Sequence, residues 1–512
     1  MKLLNLFLLL FISVFICASC VKEKNLYNGG QGTDNPDDNG NPDNKTYYPY
    51  LYNYKTEVSG ATAEISIELD ELIDLDKVEV SIPPLKYNKS WLLLLTQDDC
   101  KQAAYCSTWA AINGKPIAFL DTVGATRDLY YDAKHLHNGD LPPNTYEYKK
   151  TLGSSDGAGN EVRFAFTTTL YPESEKMDVE TNVNNGFTDN YYRFYMQSLL
   201  VWDNVKEMLA YGNGIAFHDV AATDVNNESD ILSHLSICQS LIKDRLSGRG
   251  CKVLAEPNGN KTYLAAGKAY DQVQIMTAQA GATKLYPFQV TDDLHKKIIE
   301  RWFYNDPNDI KDIVKQQLSL PKEERLAICL GVHGTGLYWT EFLLWLNNMY
   351  GKDGDDSLWF PSLEEYYEYN YYRFHATISK KMEGNTLKLT VTLPTGQNMY
   401  YPSVTINLKG LSKNKVKNIT STDNVTGFSS ADYEEGLMMN LDFRKNLIEH
   451  ATHFVLKYEE TKKVSDEDIN EIIEAFRLTS SSFGMQPWKM ILVENQNIKD
   501  LLVEHSFGQT QI

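Results

Sequence analysis

The sequence predicts an α/β fold carried by a parallel sheet, closed as a barrel or doubly wound. Three observations predict it. The apolar run Trp91 to Leu95 is bounded by polar residues on both sides, as a strand buried on both faces is. From about residue 190 to 375, short strand-like runs alternate with helical ones. Four strand-like runs end in ionisable groups or a polar turn: Asp98 with Asp99, His218, the turn Glu256 to Gly259, and His333. Chemistry in parallel α/β folds sits beyond the carboxyl ends of the strands, so this recurrence marks a candidate site.

The opening "MKLLNLFLLLFISVFICASC" has one lysine, a long apolar run and small residues before Cys20. It reads as a secretory signal over 1–19, too short and too small-ended for a spanning helix. Its "CASC" end resembles a bacterial lipobox, which implies lipidation of Cys20 and attachment to a membrane. The next stretch, "NGGQGTDNPDDNGNPDNKT", has almost nothing to bury, so 20–46 reads as a flexible tether. The implied location is the bacterial cell envelope, lipid-anchored on the outer membrane or facing the periplasm. With 42% apolar and 12% aromatic residues, the rest of the 512-residue chain can bury several cores. A net charge of −19 with no basic patch excludes nucleic acid as a partner. The cysteines beyond Cys20 form no CxxC pair and frame no disulfide scaffold.

Residues 47–88 alternate polar and apolar positions and read as β-rich. After the strand at Trp91, "AINGKPIAFLDTVG" reads as a turn and a second buried strand. Residues 125–190 are loop-like and read as an insertion carrying a hairpin around "VRFAFTTTL". Then come a helix ending near Gly212, a strand "IAFHD", and a helix that Ser229 caps. A strand before "EPNG", a strand "LAICLGVHG" and two helices follow. His234, four residues after Asp230, reads as a local helix pair. The aromatic run "EEYYEYNYYRF" reads as core at helical spacing, or as a sugar-stacking surface. Residues 375–436 return to period two and read as a small β-sandwich module after a 47–374 barrel domain.

The order of these pieces resembles the polysaccharide deacetylase family, carbohydrate esterases on an irregular (β/α) barrel. The matching motifs are "TQDDC", "KPIAFLDTV", "GNGIAFHD", "AEPNG" and "LGVHG", over about 85–375. The resemblance implies Asp98 as general base and His333 as the acid protonating the leaving group. It implies Asp99 and His218 as ligands of a divalent metal, zinc by the mixed ligand set. The family's second metal histidine falls at Ala222, and Asp219 or Asp224 would have to substitute, Asp224 being assigned to the set. Ala255 stands where the family has the arginine that orients the base, and Cys100 where it has a turn glycine. Glu256 and Asn258 fall where the substrate is met, and the implied substrate is an acetylated glycan. Read as isolated residues, Asp98 has the alternative of a helix cap and His218 that of a hydrogen-bonded core histidine.

From Met438 the sequence resembles the first part of a flavin-dependent nitroreductase. The helix "VSDEDINEIIEAFRL" leads into "SSSFGMQPWKMILVEN". That resemblance assigns Ser481, Ser482 and Gln486 to FMN and makes 437–512 a truncated α+β fragment. The leading functional expectation is metal-dependent hydrolysis of glycan acetyl groups. The alternatives are a non-catalytic glycan-binding lipoprotein on the same fold, and an FMN-dependent NAD(P)H oxidoreductase through the tail.

Overall fold

The computed structural model describes residues 61–117, 146–178, 199–220, 226–396, 399–422 and 427–443. These fall within one compact unit, Gly29–Ala451. The signal, the tether with Cys20, Asp224, and the flavin residues Ser481, Ser482 and Gln486 lie outside the described residues. So does the second strand expected in "AINGKPIAFLDTVG", beyond Ile117. Among the described residues no helix is long and apolar enough to cross a membrane.

The expected parallel sheet is present. Its strands in chain order are β1 (Trp91–Gln97), β2 (Thr167–Thr169), β3 (Gly214–Phe217), β4 (Val253–Ala255), β5 (Ile275–Ala278), β6 (Ile298–Glu300), β7 (Trp302–Phe303) and β8 (Ile328–Val332). They lie in the order 6-5-4-3-2-1-8-7, and Leu358–Trp359 pairs beside the start of β1. All these pairings are parallel. The two edges of the sheet, β6 and β7, are successive halves of one extended segment with Arg301 between them. That segment nearly closes the sheet on itself, which is the barrel of the two alternatives. β2 corrects one expectation: "TTT" is a barrel strand, and the hairpin of the insertion is Gly153–Ser155 with Glu161–Arg163.

Period-two alternation divides each strand between two environments. Leu93, Leu95, Phe217, Leu254, Met276 and Leu330 join an apolar cluster with the surrounding helices. Those helices are α1 (Trp202–Ala210), α2 (Glu228–Arg245), α3 (Lys261–Ala269), α4 (Pro307–Leu318) and α5 (Leu337–Tyr350). Asn227, not Ser229, caps α2, accepting from the Asp230 N–H at 2.9 Å. The opposite positions, Leu92, Leu94, Ala216, Val253, Ala255, Ile275, Ile299 and Cys329, belong to a second cluster. Leucine and isoleucine there mix with smaller alanine, valine and cysteine, which fills the narrow interior of a barrel of this size.

The amino-terminal ends of the strands are sealed by α6 (Leu363–His375), the tyrosine-rich helix. Its start carries a capping signature, with Ser362 Oγ accepting from the Glu365 N–H at 3.2 Å. Leu363 N–H donates to Thr167 Oγ1 and Ile215 N–H to the Glu364 carboxylate, each at 2.9 Å. Gly214 permits this approach, since a Cβ there would lie 2.9 Å from that carboxylate. Tyr366, Tyr367, Tyr369 and Tyr372 are buried in the second cluster. Each buries roughly 150–250 Å², worth about 4–6 kcal/mol as an upper bound at ~25 cal/mol per Å². The aromatic run is therefore core and offers no sugar platform.

Two four-stranded antiparallel sheets share that cluster. One orders Thr377–Glu383, Thr386–Thr392, Thr62–Leu69 and Val416–Ser421; the other orders Gly427–Tyr433, Gly436–Asp442, Ser403–Lys409 and Glu79–Ser81. Each takes a strand from before the barrel, so the β-rich start of the chain and residues 375–436 fold together. Met438 and Met439 lie inside a buried strand, in register with Asn407 and Ile406. The sheet thus continues past residue 437, where the tail was expected to begin.

A buried ion pair ties the barrel, α6 and this β-region together. Lys252, just before β4, bonds the Glu368 carboxylate, and both side chains are fully buried. Glu368 also accepts from the N–H groups of Tyr400 at 2.8 Å and Tyr401 at 2.6 Å. Burial pushes the Glu368 carboxyl up, against the lowering effect of Lys252. Removing one partner strands a buried charge. Lys252→Met is expected to lower unfolding free energy by about 3–5 kcal/mol, read from urea denaturation. Adding Glu368→Gln should recover much of that loss, because the two effects are coupled.

Candidate functional site

The interior parity carries polar residues once the strands reach their carboxyl ends. On β1 the series Leu92, Leu94, Thr96 continues to Asp98; on β3 Ala216 is followed by His218; on β8 Cys329 and Gly331 lead to His333. On the closing segment Ile299 is followed by Arg301 and Phe303. The registers Val332 with Gln97 and Phe303 with Gly331 bring three of these ends side by side. Asp98 N–H donates to Val332 O at 2.7 Å, one residue before His333.

The paired aspartates have separate partners. Asp98 is 2% exposed, and its Oδ1 accepts from Arg301 Nη1 at 2.7 Å. Arg301 is equally buried; its Nη2 donates to Glu256 O at 2.9 Å. The carboxylate is therefore an ion-pair partner in the barrel mouth and does not cap the following helix. Asp99 is partly exposed and sits 3.5 Å from His218 Nε2 through Oδ1, while Asp98 Oδ2 is 4.0 Å from the same nitrogen. Tyr171 Oη donates to Asp99 Oδ1 at 3.4 Å.

His218 is buried but is not an ordinary core histidine. Its Nδ1 lies 2.9 Å from Ala255 O, an acceptor only, so Nδ1 carries the proton. Nε2 is left facing two carboxylates. Burial pulls the imidazole's pKa down, yet Asp99 and Asp98 outweigh it and the net shift is upward. Hydrogen bonding with His218 is the largest effect on Asp99, whose carboxyl is held down at about 2.

The remaining expected residues are placed differently. Glu256 is buried, and its carboxylate bonds Lys261 Nζ at 2.6 Å and the Gln279 N–H at 3.3 Å. It meets the site through its carbonyl, which accepts from Arg301. Asn258 is exposed in a turn with φ of 52°. His234 pairs with Glu173 at 2.6 Å and not with Asp230. His333 is exposed, with its ring against Phe303. The glycines flanking its turn, Gly334 and Gly336, have open space around them, so no close backbone approach requires them.

Arg301 is the residue that sequence reading missed. The expected arginine position, Ala255, is apolar interior, and the guanidinium arrives instead from the closing segment. The alternation Ile299, Arg301, Phe303 signals a strand, but nothing local pairs Arg301 with Asp98.

The donor chemistry of Asp99 and His218 suits a divalent ion. A histidine that gives its far N–H to a carbonyl has the tautomer and orientation of a metal ligand. A catalytic zinc takes three protein ligands. Among the described residues no group of three His, Cys, Asp or Glu side chains is arranged to hold an ion. Asp219 is occupied by Tyr263 Oη at 2.6 Å and by the Val220 N–H at 3.0 Å.

A family model described as "Putative polysaccharide deacetylase" matches residues 63–476, so the match takes in both antiparallel sheets as well as the barrel. A nitroreductase family model matches residues 455–512. Curated proteins named "Putative NAD(P)H nitroreductase" match the same end. Those of Staphylococcus epidermidis and Staphylococcus aureus are 41% identical over 59 residues, 12% of this chain and 27% and 26% of theirs. That of Staphylococcus haemolyticus is 38% identical over 56 residues, 11% of this chain and 26% of its own. The chain spans about a quarter of the length of these relatives.

The depressed Asp99 pKa has a consequence for stability. A carboxyl lowered from 3.8 to about 2 on folding stabilises the fold above pH 3.8, and that contribution is lost as pH falls through about 2. Asp99→Asn is expected to flatten the fall in urea midpoint between those two pH values, relative to the unmodified protein.

Proposed function

We propose that this chain, which belongs to the polysaccharide deacetylase family, hydrolyses acetyl groups on glycans at the carboxyl mouth of its barrel. The observation that carries the reading is the Asp98–Arg301 ion pair, set beside the Asp99–His218 pair at one rim. Arg301 occupies one oxygen of Asp98 and fixes the carboxylate plane. The other oxygen, 4.0 Å from His218 Nε2, takes a proton from a water molecule. The water oxygen bonds to the acetyl carbonyl carbon. When the tetrahedral adduct collapses, the bond to the sugar nitrogen or oxygen breaks and the leaving atom takes a proton from His333. Acetate and the free sugar group are the products.

Asp99 and His218 would hold a divalent ion, zinc by its preference for such donors, with Asp224 as the third ligand that the sequence offers. Such an ion lowers the pKa of water and polarises a carbonyl. Asn258, exposed beside the mouth, is proposed to contact the glycan. Acylation of Cys20 would hold the protein at the envelope surface, where such polymers lie. A reading of the same cleft as a binding site without catalysis predicts no acetate. The flavin chemistry of the nitroreductases belongs to proteins of which this chain spans about a quarter, and it is not carried over.

The test is acetate release from acetylated chitooligosaccharides and acetylated xylan, with zinc supplied. Asp98→Asn and His333→Ala are each expected to lower kcat by roughly 10²- to 10⁴-fold, the usual worth of a positioned acid or base. Unmodified protein that releases no acetate from either class overturns the hydrolytic reading.

A further inference from the structure

We infer that Phe303 is the positioning residue of His333. The inference rests on the reading of His333 as the proton donor. Among the described residues the His333 imidazole has no hydrogen-bonded carboxylate to orient it. Its ring contact is Phe303, with centroids 5.2 Å apart and planes tilted by 31°. Phe303 also meets a charge: the Arg301 guanidinium lies 5.1 Å from the ring centroid. Phe303 therefore stands between the cation that holds the base and the imidazole that supplies the proton. An aromatic face attracts an imidazolium as it does a guanidinium, so the ring suits the protonated donor.

The backbone makes room for this arrangement. Phe303 is in register with Gly331, and a Cβ at 331 would lie 2.3 Å from Phe303 Cζ. Any side chain at 331 would displace the ring from beneath His333. The main chain of the donor is fixed independently. His333 O accepts from Gln97 Nε2 at 3.3 Å, and Gln97 Oε1 accepts from Thr108 Oγ1 at 2.7 Å. Thr335, two residues on, is held by Thr108 Oγ1 and by Ser107 Oγ, which donates to its carbonyl, each at 2.8 Å. Ser107 and Thr108 belong to a π-helix, Ala104–Trp109. The network fixes where residue 333 is; Phe303 fixes which way its ring faces.

The experiment compares Phe303→Leu, Phe303→Tyr and Gly331→Ala in full-length protein, by kinetics on acetylated chitooligosaccharide and by the His333 C2–H resonance, assigned by its loss in His333→Ala. Phe303→Leu and Gly331→Ala are expected to lower kcat roughly tenfold with KM changed by less than about twofold, as misorientation of a reacting group does. Phe303→Tyr, which keeps the ring, should retain kcat within about twofold. The C2–H resonance of unmodified protein should carry a ring-current shift that Phe303→Leu abolishes. An unshifted His333 resonance in unmodified protein, or full kcat in folded Phe303→Leu, overturns the inference. Full activity in His333→Ala instead overturns the proton-donor reading, and the ring-current result still reports whether the two rings stack.

Discussion

The molecule depends on a buried guanidinium. A barrel that closes through one segment puts a residue between that segment's two strands, and here that residue is Arg301, 1% exposed. A charge so buried is tolerable only with a close counter-charge and satisfied hydrogen bonds. Asp98 supplies the counter-charge and, with the Glu256 carbonyl, partners for the two Nη atoms, while Nε has none among the described residues. The requirement runs both ways: Arg301 needs Asp98 to close the sheet, and Asp98 gains a fixed orientation at its mouth. Closure and the candidate base are thus one interaction.

The opposite end of the barrel solves a related problem with different chemistry. A parallel sheet must be covered on both faces, and its ends need partners for their backbone groups. α6 covers the amino-terminal end with tyrosine rings and offers Glu364 to the Ile215 N–H. Arg249 then neutralises Glu364 at 3.0 Å, and its guanidinium lies 4.5 Å from the Tyr400 ring centroid. Ion pairs at one end are committed to cohesion. At the other, the Asp98–Arg301 pair sits beside His218, whose Nε2 faces Asp98 and Asp99. Buried ion pairs therefore lie at both ends of the barrel, and the partly exposed Asp99 marks the carboxyl end.

What the sequence disclosed follows from which interactions are local. The run at Trp91, the strands ending at His218 and His333, and the aromatic helix were all legible, because burial and period are written in consecutive residues. The choice between barrel and open sheet was not. It depends on β6 and β7 meeting different partners, a fact about pairing and not about pattern. Arg301 carries no local sign of its partner, and its role appears only when the end of β1 lies beside it. The β-region failed in the same way: Thr62–Leu69 looks like part of whatever follows it, yet its hydrogen-bond partners lie more than three hundred residues on. Met438 and Met439, where the character of the sequence changes, lie in a buried strand that runs to Asp442.

The turn that presents Asp99 shows how non-local contacts set the geometry of a reactive rim. Asp99 and Cys100 have φ of 62° and 50°, a left-handed conformation costing non-glycine residues roughly 1–2 kcal/mol each. Glycine at 100 would remove part of that cost. Cys100 instead buries its side chain completely, with Sγ 3.8 Å from Met177 Sδ. Its N–H donates to Thr169 Oγ1 at 3.2 Å, and its carbonyl accepts from the Leu200 N–H at 2.9 Å. Those contacts impose the turn from outside, from the end of β2 and from the chain before α1. Asp99 is carried toward His218 as a result. A glycine would reach the same conformation more cheaply but without a side chain to hold it there. The strain is therefore the counterpart of a fixed carboxylate, stored where the site is and offset by packing on two neighbouring segments.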